Sequence, residues 1–478
     1  MSGHRKSFTT ALVLTLLLLV ADGGPIARAQ SVGSFTPTGS MITPRASYTA
    51  TLLPDGKVLI AGGQGADNNI LASAELYDPS TAVFIPTGDM TTRAGHSATL
   101  LPDGRVLIAG GAAGRAELYD PSSGTFTATG EMVNWAPGPA ILLASGKVLI
   151  AHDLDLRQSA TAELYDPVPG TFSATGNQLL IWSGDQKAAL LADGRVLLMI
   201  CCTAEQLDDP ASGTFSLTGR TTNGYPDGFA VAPLTNGKVL RAGGYAEESG
   251  AVTTGAELYY PGTGTFAPTG NMTTGRFSHT ATPLGDGTVL IAGGNQVIAY
   301  GAYIASASAE IYDPTTGTFS RTGDMTTGRF NHTATLLLDG TVLIAGGGGV
   351  AFQGSAEIYK PPVPVPAPAL FSLSGDERGQ GAIWHAATGQ VASANNPAIA
   401  GEALSMYTTS LLDGGVIPPQ VAIGGRLAET LFFGKAPGYP GFNQVNIRVP
   451  SAIAPGPNVP VRLIYLGRPS NEVTIGVQ

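Results

Sequence analysis

The sequence predicts an all-β chain whose larger part is a closed ring of seven four-stranded units, and three recurring landmarks predict it. An Asp-Gly pair recurs at Asp55, Asp103, Asp193, Asp286 and Asp339, with Ser145-Gly146 and Asn236-Gly237 as variants. An Ala-Glu-Leu-Tyr-Asp-Pro run, or a near copy, starts at Ala74, Ala116, Ala162, Ala256, Ala309 and Ala356, with a decayed copy from Glu205 to Pro210. A Phe-x-x-Thr-Gly run starts at Phe35, Phe84, Phe126, Phe172, Phe215, Phe266 and Phe319. Each landmark therefore occurs seven times, about 42 to 53 residues apart, and repeats of that length read as propeller blades.

Between landmarks the segments are short, rich in Val, Leu, Ile, Thr and Tyr, and bounded by turn residues. Glycine after Asp supplies the positive φ of a tight hairpin, and Asp-Pro-x-x-Gly supplies a longer one. Four antiparallel strands result. Strand a is Arg-x-x-His-x-Ala-Thr-Leu-Leu, strand b Val-Leu-Ile-Ala-Gly-Gly, strand c Ala-Glu-Leu-Tyr and strand d Thr-Phe-x-x-Thr-Gly. Four strands per unit about one axis make a β-propeller. The chain enters the array on a strand d, at Phe35, and leaves it after a strand c, at Tyr359. Seven complete blades follow only if the N-terminal strand closes the last blade, which also hides both raw edges.

The Gly-Gly doublets with a downstream Tyr and aromatic resemble the kelch family, in particular the propeller of secreted bacterial proteins and of galactose oxidase. The resemblance covers about residues 35–361. The final aromatic is Phe, seven residues after the Tyr (Tyr77 to Phe84), where the commoner kelch pattern has Trp about six residues after.

Residues 1–29 read as a secretory signal: a basic start at His4-Arg5-Lys6, an apolar run from Ala11 too short to span a bilayer, and a cleavage site at Ala27-Arg28-Ala29. No later apolar run approaches membrane length. The expected mature chain is secreted, extracellular or periplasmic, without a membrane span. Charged residues are 13%, glycines number 65 and the net charge is −10 with no Lys/Arg block, so nucleic acid is not an expected partner. The two cysteines, Cys201 and Cys202, are adjacent in strand b of the fourth blade. They read either as buried small side chains or as a vicinal disulfide.

The propeller is expected over residues 30–360. Residues 361–369 alternate Pro with Val and Ala and read as a semi-rigid extended linker. Residues 370–478 return to short strands between Gly and Pro turns, as in a small Ig-like β-sandwich. Their Gly-Phe-Asn-Gln-Val-Asn run at 441–446 resembles a module at the ends of many large secreted bacterial proteins, which implies a domain and no chemistry.

Blades 1, 2, 6 and 7 are regular; blades 3, 4 and 5 are not. The Arg of strand a (Arg45, Arg93, Arg276, Arg329) becomes Trp135, Ser183 and Pro226, and the His position (Tyr48, His96, His279, His332) becomes Gly138, Gln186 and Phe229. The repeated His would ligate a metal only by converging on the axis; the simpler expectation is that each serves its own blade. The Arg and Glu positions are expected to pair between strands within blades. The galactose oxidase resemblance would imply a copper site made of a Tyr-His neighbour pair, a further His, and a Cys crosslinked to a second Tyr. This chain has no Tyr-His dipeptide and its cysteines are side by side, so no cofactor is expected. Paired acids such as Asp153 with Asp155, or Glu247 with Glu248, read as solvated loop residues rather than a glycosidase pair.

The a–b and c–d turns emerge on one face of the ring and are monotonous. The b–c loops and d–a connectors emerge on the other and vary, spanning 64–73 in blade 1, 112–115 in blade 2 and 295–308 in blade 6. Variable loops on a rigid scaffold are where binding lives. On that face blades 3 to 5 place Trp135, Trp182 and Tyr225, with Asp153, Asp155, Arg157 and Asp185 near them. Rings beside carboxylates and an Arg suit a sugar; the competing reading is that the rings fill gaps left by the lost Arg and His. The expected function is a non-catalytic binding propeller for an extracellular glycan or protein. The alternative is a carbohydrate-active or oxidative enzyme.

Overall fold

The structure is a computed structural model that describes residues 32–111, 115–133, 138–152, 161–177, 186–200, 205–222, 227–246, 251–297, 302–349, 351–412 and 416–478. Every regular element among them is a β-strand. Seven antiparallel four-stranded sheets make the blades. Strand a of each blade lies beside strand a of the next all the way round, so these strands line the axis. The last blade is closed as expected: Ser34–Pro37 pairs with Ala356–Lys360, with Phe35 opposite Tyr359.

Strand b is the hydrophobic centre of each blade. Val-Leu-Ile-Ala is buried at all four positions in blades 1, 2, 3, 6 and 7. Strands buried on both faces need such continuous apolar runs. The Tyr of strand c packs on the Phe of strand d, with ring centroids 4.8 Å apart in Tyr77–Phe84 and 4.7 Å in Tyr312–Phe319. Its hydroxyl then bonds the Thr of the preceding blade's Thr-Gly: Thr38–Tyr77 at 2.7 Å, Thr87–Tyr119 at 2.9 Å, Thr322–Tyr359 at 2.9 Å. The landmark spacing thus records an inter-blade latch.

The Asp-Gly hairpin is a three-residue loop with a bulge rather than a two-residue turn. Gly56 N–H donates to Leu53 C=O, Leu53 N–H donates to Lys57 C=O, and Gly56 has φ 87°. The Asp55 side chain accepts from Lys57 N–H at 3.1 Å, as Asn236 does from Lys238 at 3.2 Å and Ser145 from Lys147 at 3.5 Å. A short side-chain acceptor is what the position requires, hence Asp, Asn or Ser. The first Gly of the Gly-Gly doublet answers to close packing: a Cβ on Gly62 would lie 2.3 Å from Met90 Cε and 2.6 Å from the Arg93 carbonyl of the next blade.

The C-terminal domain is one eight-stranded sheet folded over its own core. Strand Arg426–Lys435 turns the corner. Its first residues pair with Gln420–Ile423, the rest with Asn443–Arg448, and a bulge falls between Thr430 and Phe432. The two halves enclose Leu404, Met406, Val445, Val461 and Ile475 as the layers of a sandwich do.

The linker does not act as a spacer. Ala367 N–H donates to Leu338 C=O at 2.7 Å, and Arg468 of the C-terminal domain donates from Nη1 to Val365 C=O at 2.6 Å. Val416 N–H reaches Thr235 C=O at 2.8 Å, beside the blade 5 turn. The C-terminal domain therefore sits on the a–b turn face, over one mouth of the channel. A cavity of ≈ 400 Å³ remains between strand-a residues such as Thr51, Thr99 and Thr335 and the covering Gln420, Ile464 and Leu466.

Candidate functional site: the loop face and the channel mouth

The charged residues of the repeat are structural, as the sequence indicated. Arg45 Nη2 meets Glu75 at 2.8 Å, Arg93 meets Glu117 at 2.5 Å, Arg276 meets Glu310 at 2.8 Å and Arg329 meets Glu357 at 3.0 Å, all buried. Each carboxylate also accepts from backbone N–H groups of its d–a connector, such as Ile42 and Thr43 for Glu75 and Thr273 for Glu310. Each guanidinium donates to strand-b carbonyls, such as Gly62 at 2.9 Å and Gly346 at 3.0 Å. The pair pins the connector to the blade, and backbone carbonyls and serine hydroxyls take up further guanidinium N–H groups, while Nε of Arg276 and of Arg329 stays buried without a partner.

Blades 3 and 5 lost that Arg and kept the Glu, and in blade 3 strand b supplies the substitute. His152, at the first Gly position, bonds Glu163 at 2.8 Å with both side chains fully buried. In blade 5 Arg241 stands opposite Glu257 and lies 4.2 Å over the Phe229 ring. Sequence reasoning missed both. The available signal was a retained Glu in a blade without its Arg.

The histidines do not converge on a metal, but they do not serve their own blades either. His96 Nε2 bonds Thr49 of blade 1 at 3.0 Å, and His332 Nε2 bonds Thr280 of blade 6 at 3.1 Å. Tyr48 takes the same role, sharing a hydrogen bond with Thr333 at 3.0 Å and donating to the Ala345 carbonyl of blade 7. His279 faces blade 5, where the matching Thr is Ala230, and both its ring nitrogens lack a partner. Burial, with the neighbouring Arg, pushes His96 and His332 down to about 3, and His279 lies well below its ordinary value. Burial pushes Tyr48 up to about 12. Copper chemistry of the galactose oxidase type needs a phenolate and imidazoles gathered at one ion. Here a neutral phenol and the bonded imidazoles are spent between blades, and no group of three His, Cys, Asp or Glu among the described residues is placed to hold a metal. These residues do not fit a copper site.

The predicted ligand-binding residues Trp135, Trp182, Tyr225, Asp153, Asp155, Arg157 and Asp185 all lie outside the described residues, as do Cys201, Cys202, Glu247 and Glu248. The described part of the same face carries a second set of rings. In blade 6 Asn295–Val297 pairs with Tyr303–Ala305, extending the b–c loop as a ribbon. Tyr303 stacks edge-on against Phe277 at 5.2 Å and against Tyr245 of blade 5 at 5.7 Å, while Tyr245 and Phe277 lie 5.4 Å apart. Tyr303 keeps 44% of its surface exposed. Beside it runs a cleft of ≈ 630 Å³ toward blade 7, lined by Tyr303, Thr327, Phe352, Gln353 and Ser355. The sequence marked this long loop as variable but drew attention to the irregular blades instead.

Residues 45–91 match the family model for the Kelch motif. No curated protein matches the chain. Among solved structures, the fold is similar to a "Novel fungal alcohol oxidase with catalytic diversity among the AA5 family, in complex with copper", at 17% identity and a TM-score of 0.62, over 94% of this chain and 100% of that one. At that identity the likeness is one of fold. The chain is a seven-bladed β-propeller that carries a Kelch motif at residues 45–91, followed by a β-sandwich-like C-terminal domain.

Proposed function

We propose that this is a secreted binding protein, extracellular or periplasmic, whose propeller holds a glycan or protein ligand on its loop face without chemical turnover. The observation that carries this reading is the placement of the Tyr245–Phe277–Tyr303 cluster beside an open cleft on that face. The opposite face is taken by the C-terminal domain, so only one face is free for a partner. Aromatic rings supply contact area with few rotors to freeze, and the cleft adds the Gln353 amide and the Thr327 hydroxyl for orientation. Trp135, Trp182 and Tyr225, with Asp153, Asp155, Arg157 and Asp185, are the blade 3–5 part of the same proposed surface.

The alternative reading, a carbohydrate-active or oxidative enzyme, draws on the copper-containing structure of similar fold. Fold similarity does not transfer a site. A glycan array on the secreted protein, run with and without divalent metals and with peroxide and reducing sugar measured, separates the two. Binding without product supports the proposal. Product formed from any bound glycan overturns it.

A further inference from the structure

The C-terminal domain carries a row of side chains that its fold does not need. On strands Ile383–His385, Ala403–Thr408 and Asn443–Arg448, alternate residues are buried, among them Ile383, Leu404, Met406, Val445 and Ile447. The residues between them, Trp384, Ser405, Tyr407, Gln444 and Asn446, share the outer face and stay half-buried. Trp384 and Tyr407 stack edge-on at 5.5 Å, and Tyr407 continues to Tyr439 at 5.6 Å. Tyr439 is 57% exposed. Alongside the rings runs a polar ladder: Ser405 Oγ donates to Asn446 Oδ1 at 2.8 Å, and Gln444 Nε2 donates to the same oxygen at 2.9 Å. The ladder fixes the amides and leaves the Asn446 amide and the Gln444 carbonyl without a described partner of their own. Past Tyr439 the row opens into a cleft of ≈ 750 Å³ walled by Lys435, Phe442 and Asn443.

We propose that this row binds a neutral polysaccharide chain. Pyranose rings present a C–H face to aromatic side chains and an equatorial rim of hydroxyls to amides, and here both groups lie side by side along one line. The row itself carries no charge. Arg448 beside the row is paired with Glu429 at 2.8 Å, and Lys435 stands only at the cleft beyond it, so the row of rings and amides itself offers an ionic ligand no counter-charge. Residues set against the propeller or linker include Val416, Gln420, Arg462, Ile464 and Arg468, with Leu412 at the far wall of the cleft, and Trp384, Tyr407 and Tyr439 are not among those the structure shows there. The row is therefore open in the whole chain, and a ligand there leaves the loop face free. This site stands independently of the loop-face reading.

Retention of the full secreted chain on insoluble cellulose, chitin and xylan, with alginate as the charged comparison, tests the proposal. Retention on at least one neutral polymer is expected, weakened about tenfold or more by Trp384→Ala and by Tyr439→Ala. Tyr439→Ala removes an exposed ring and is expected to leave the melting temperature unchanged, which separates lost contact from lost fold. Tyr303→Ala, on the propeller, is expected to leave retention on these polymers unchanged. No retention on any neutral polymer, equal retention on alginate, or retention insensitive to Tyr439→Ala overturns the proposal. Loss with Tyr303→Ala alone assigns the binding to the propeller and also overturns it.

Discussion

Asp208 stands opposite Phe215 across the outer strands of blade 4, in the position that a tyrosine fills in the six other blades. The latch to the preceding blade is missing there, and both Asp208 carboxylate oxygens are buried without a partner. Burial, together with the Asp209 charge, pushes Asp208 up to about 6. Three residues earlier, burial pushes Glu205 up to about 7 against the pull of Arg241, and Glu257 adds to the rise.

Raised carboxyl values mean that the folded state holds these protons more tightly than the unfolded chain. Their protonated forms leave stability intact below the ordinary values of 3.8 and 4.5, and stability is lost as pH climbs toward about 6 and 7. A tenfold difference in proton affinity between the folded and unfolded chain corresponds to about 1.4 kcal/mol. The urea midpoint is expected to fall as pH rises from about 4.5 to about 7.5, and Asp208→Asn combined with Glu205→Gln is expected to flatten that slope. An unchanged slope in the double variant would contradict this reading of blade 4.

Ala82 occupies the last position of the Asp-Pro-x-x-Gly turn of blade 1 with φ 58°, where Gly124 has φ 69° and Gly317 has φ 68°. A Cβ in left-handed backbone costs about 1 kcal/mol or more. Ala82→Gly is therefore expected to stabilise the chain by ~1 kcal/mol, partly offset by the greater freedom of glycine in the unfolded chain. A denaturant titration checks it, and a destabilised variant would refute it.

The closing strand is the ring's only covalently distant seam. Phe35 packs on Tyr359 at 4.8 Å, and Thr38 latches Tyr77 of blade 1 at 2.7 Å. Removing residues 31–44 also takes Met41 out of the core of blade 1. The shortened chain is expected to lose well over the ~1 kcal/mol of an ordinary substitution. Thermal unfolding unchanged within that amount would contradict closure.

Much of this was legible because a repeat makes one physical constraint visible many times. The Asp-Gly landmark encodes a hairpin and the d-first, c-last order encodes the closed seam, whereas the Tyr–Thr latch between blades and the bulge in the hairpin emerged only in the structure. Contacts between repeats were less legible. His96 and Thr49 read as features of separate blades because nothing in one unit shows which neighbour its side chains touch. The substitute His152 sits at a strand-b position that elsewhere holds Gly or Ile, so it looks like decay rather than compensation. The docking of the C-terminal domain was hidden because Arg468 and Val365 belong to no repeat. Trp135 and Trp182 came from lost consensus, whereas Tyr303 and Phe277 sit in a regular blade and escaped that filter.

Arg468 is 1% exposed at the junction of linker, propeller and C-terminal domain, and burial pushes it down to about 10 despite Asp339 nearby. Its Nη1 bond to Val365 C=O ties the linker to the C-terminal domain at the turn face. Arg468→Ala is expected to uncouple the two domains, turning one thermal transition into two and raising proteolysis at residues 361–369. A single unaltered transition with a protected linker would contradict the docking role.

The account turns on the loop face being a binding surface and not a reaction centre. Its most direct test is titration of the array-selected ligand into the full chain and into Tyr303→Ala, Trp135→Ala and Trp182→Ala, with melting temperature and peroxide followed in the same samples. The account predicts a saturable affinity that falls about tenfold or more in these variants at unchanged melting temperature, with no peroxide released. Undiminished affinity in all three, or peroxide formed on ligand addition, would contradict it.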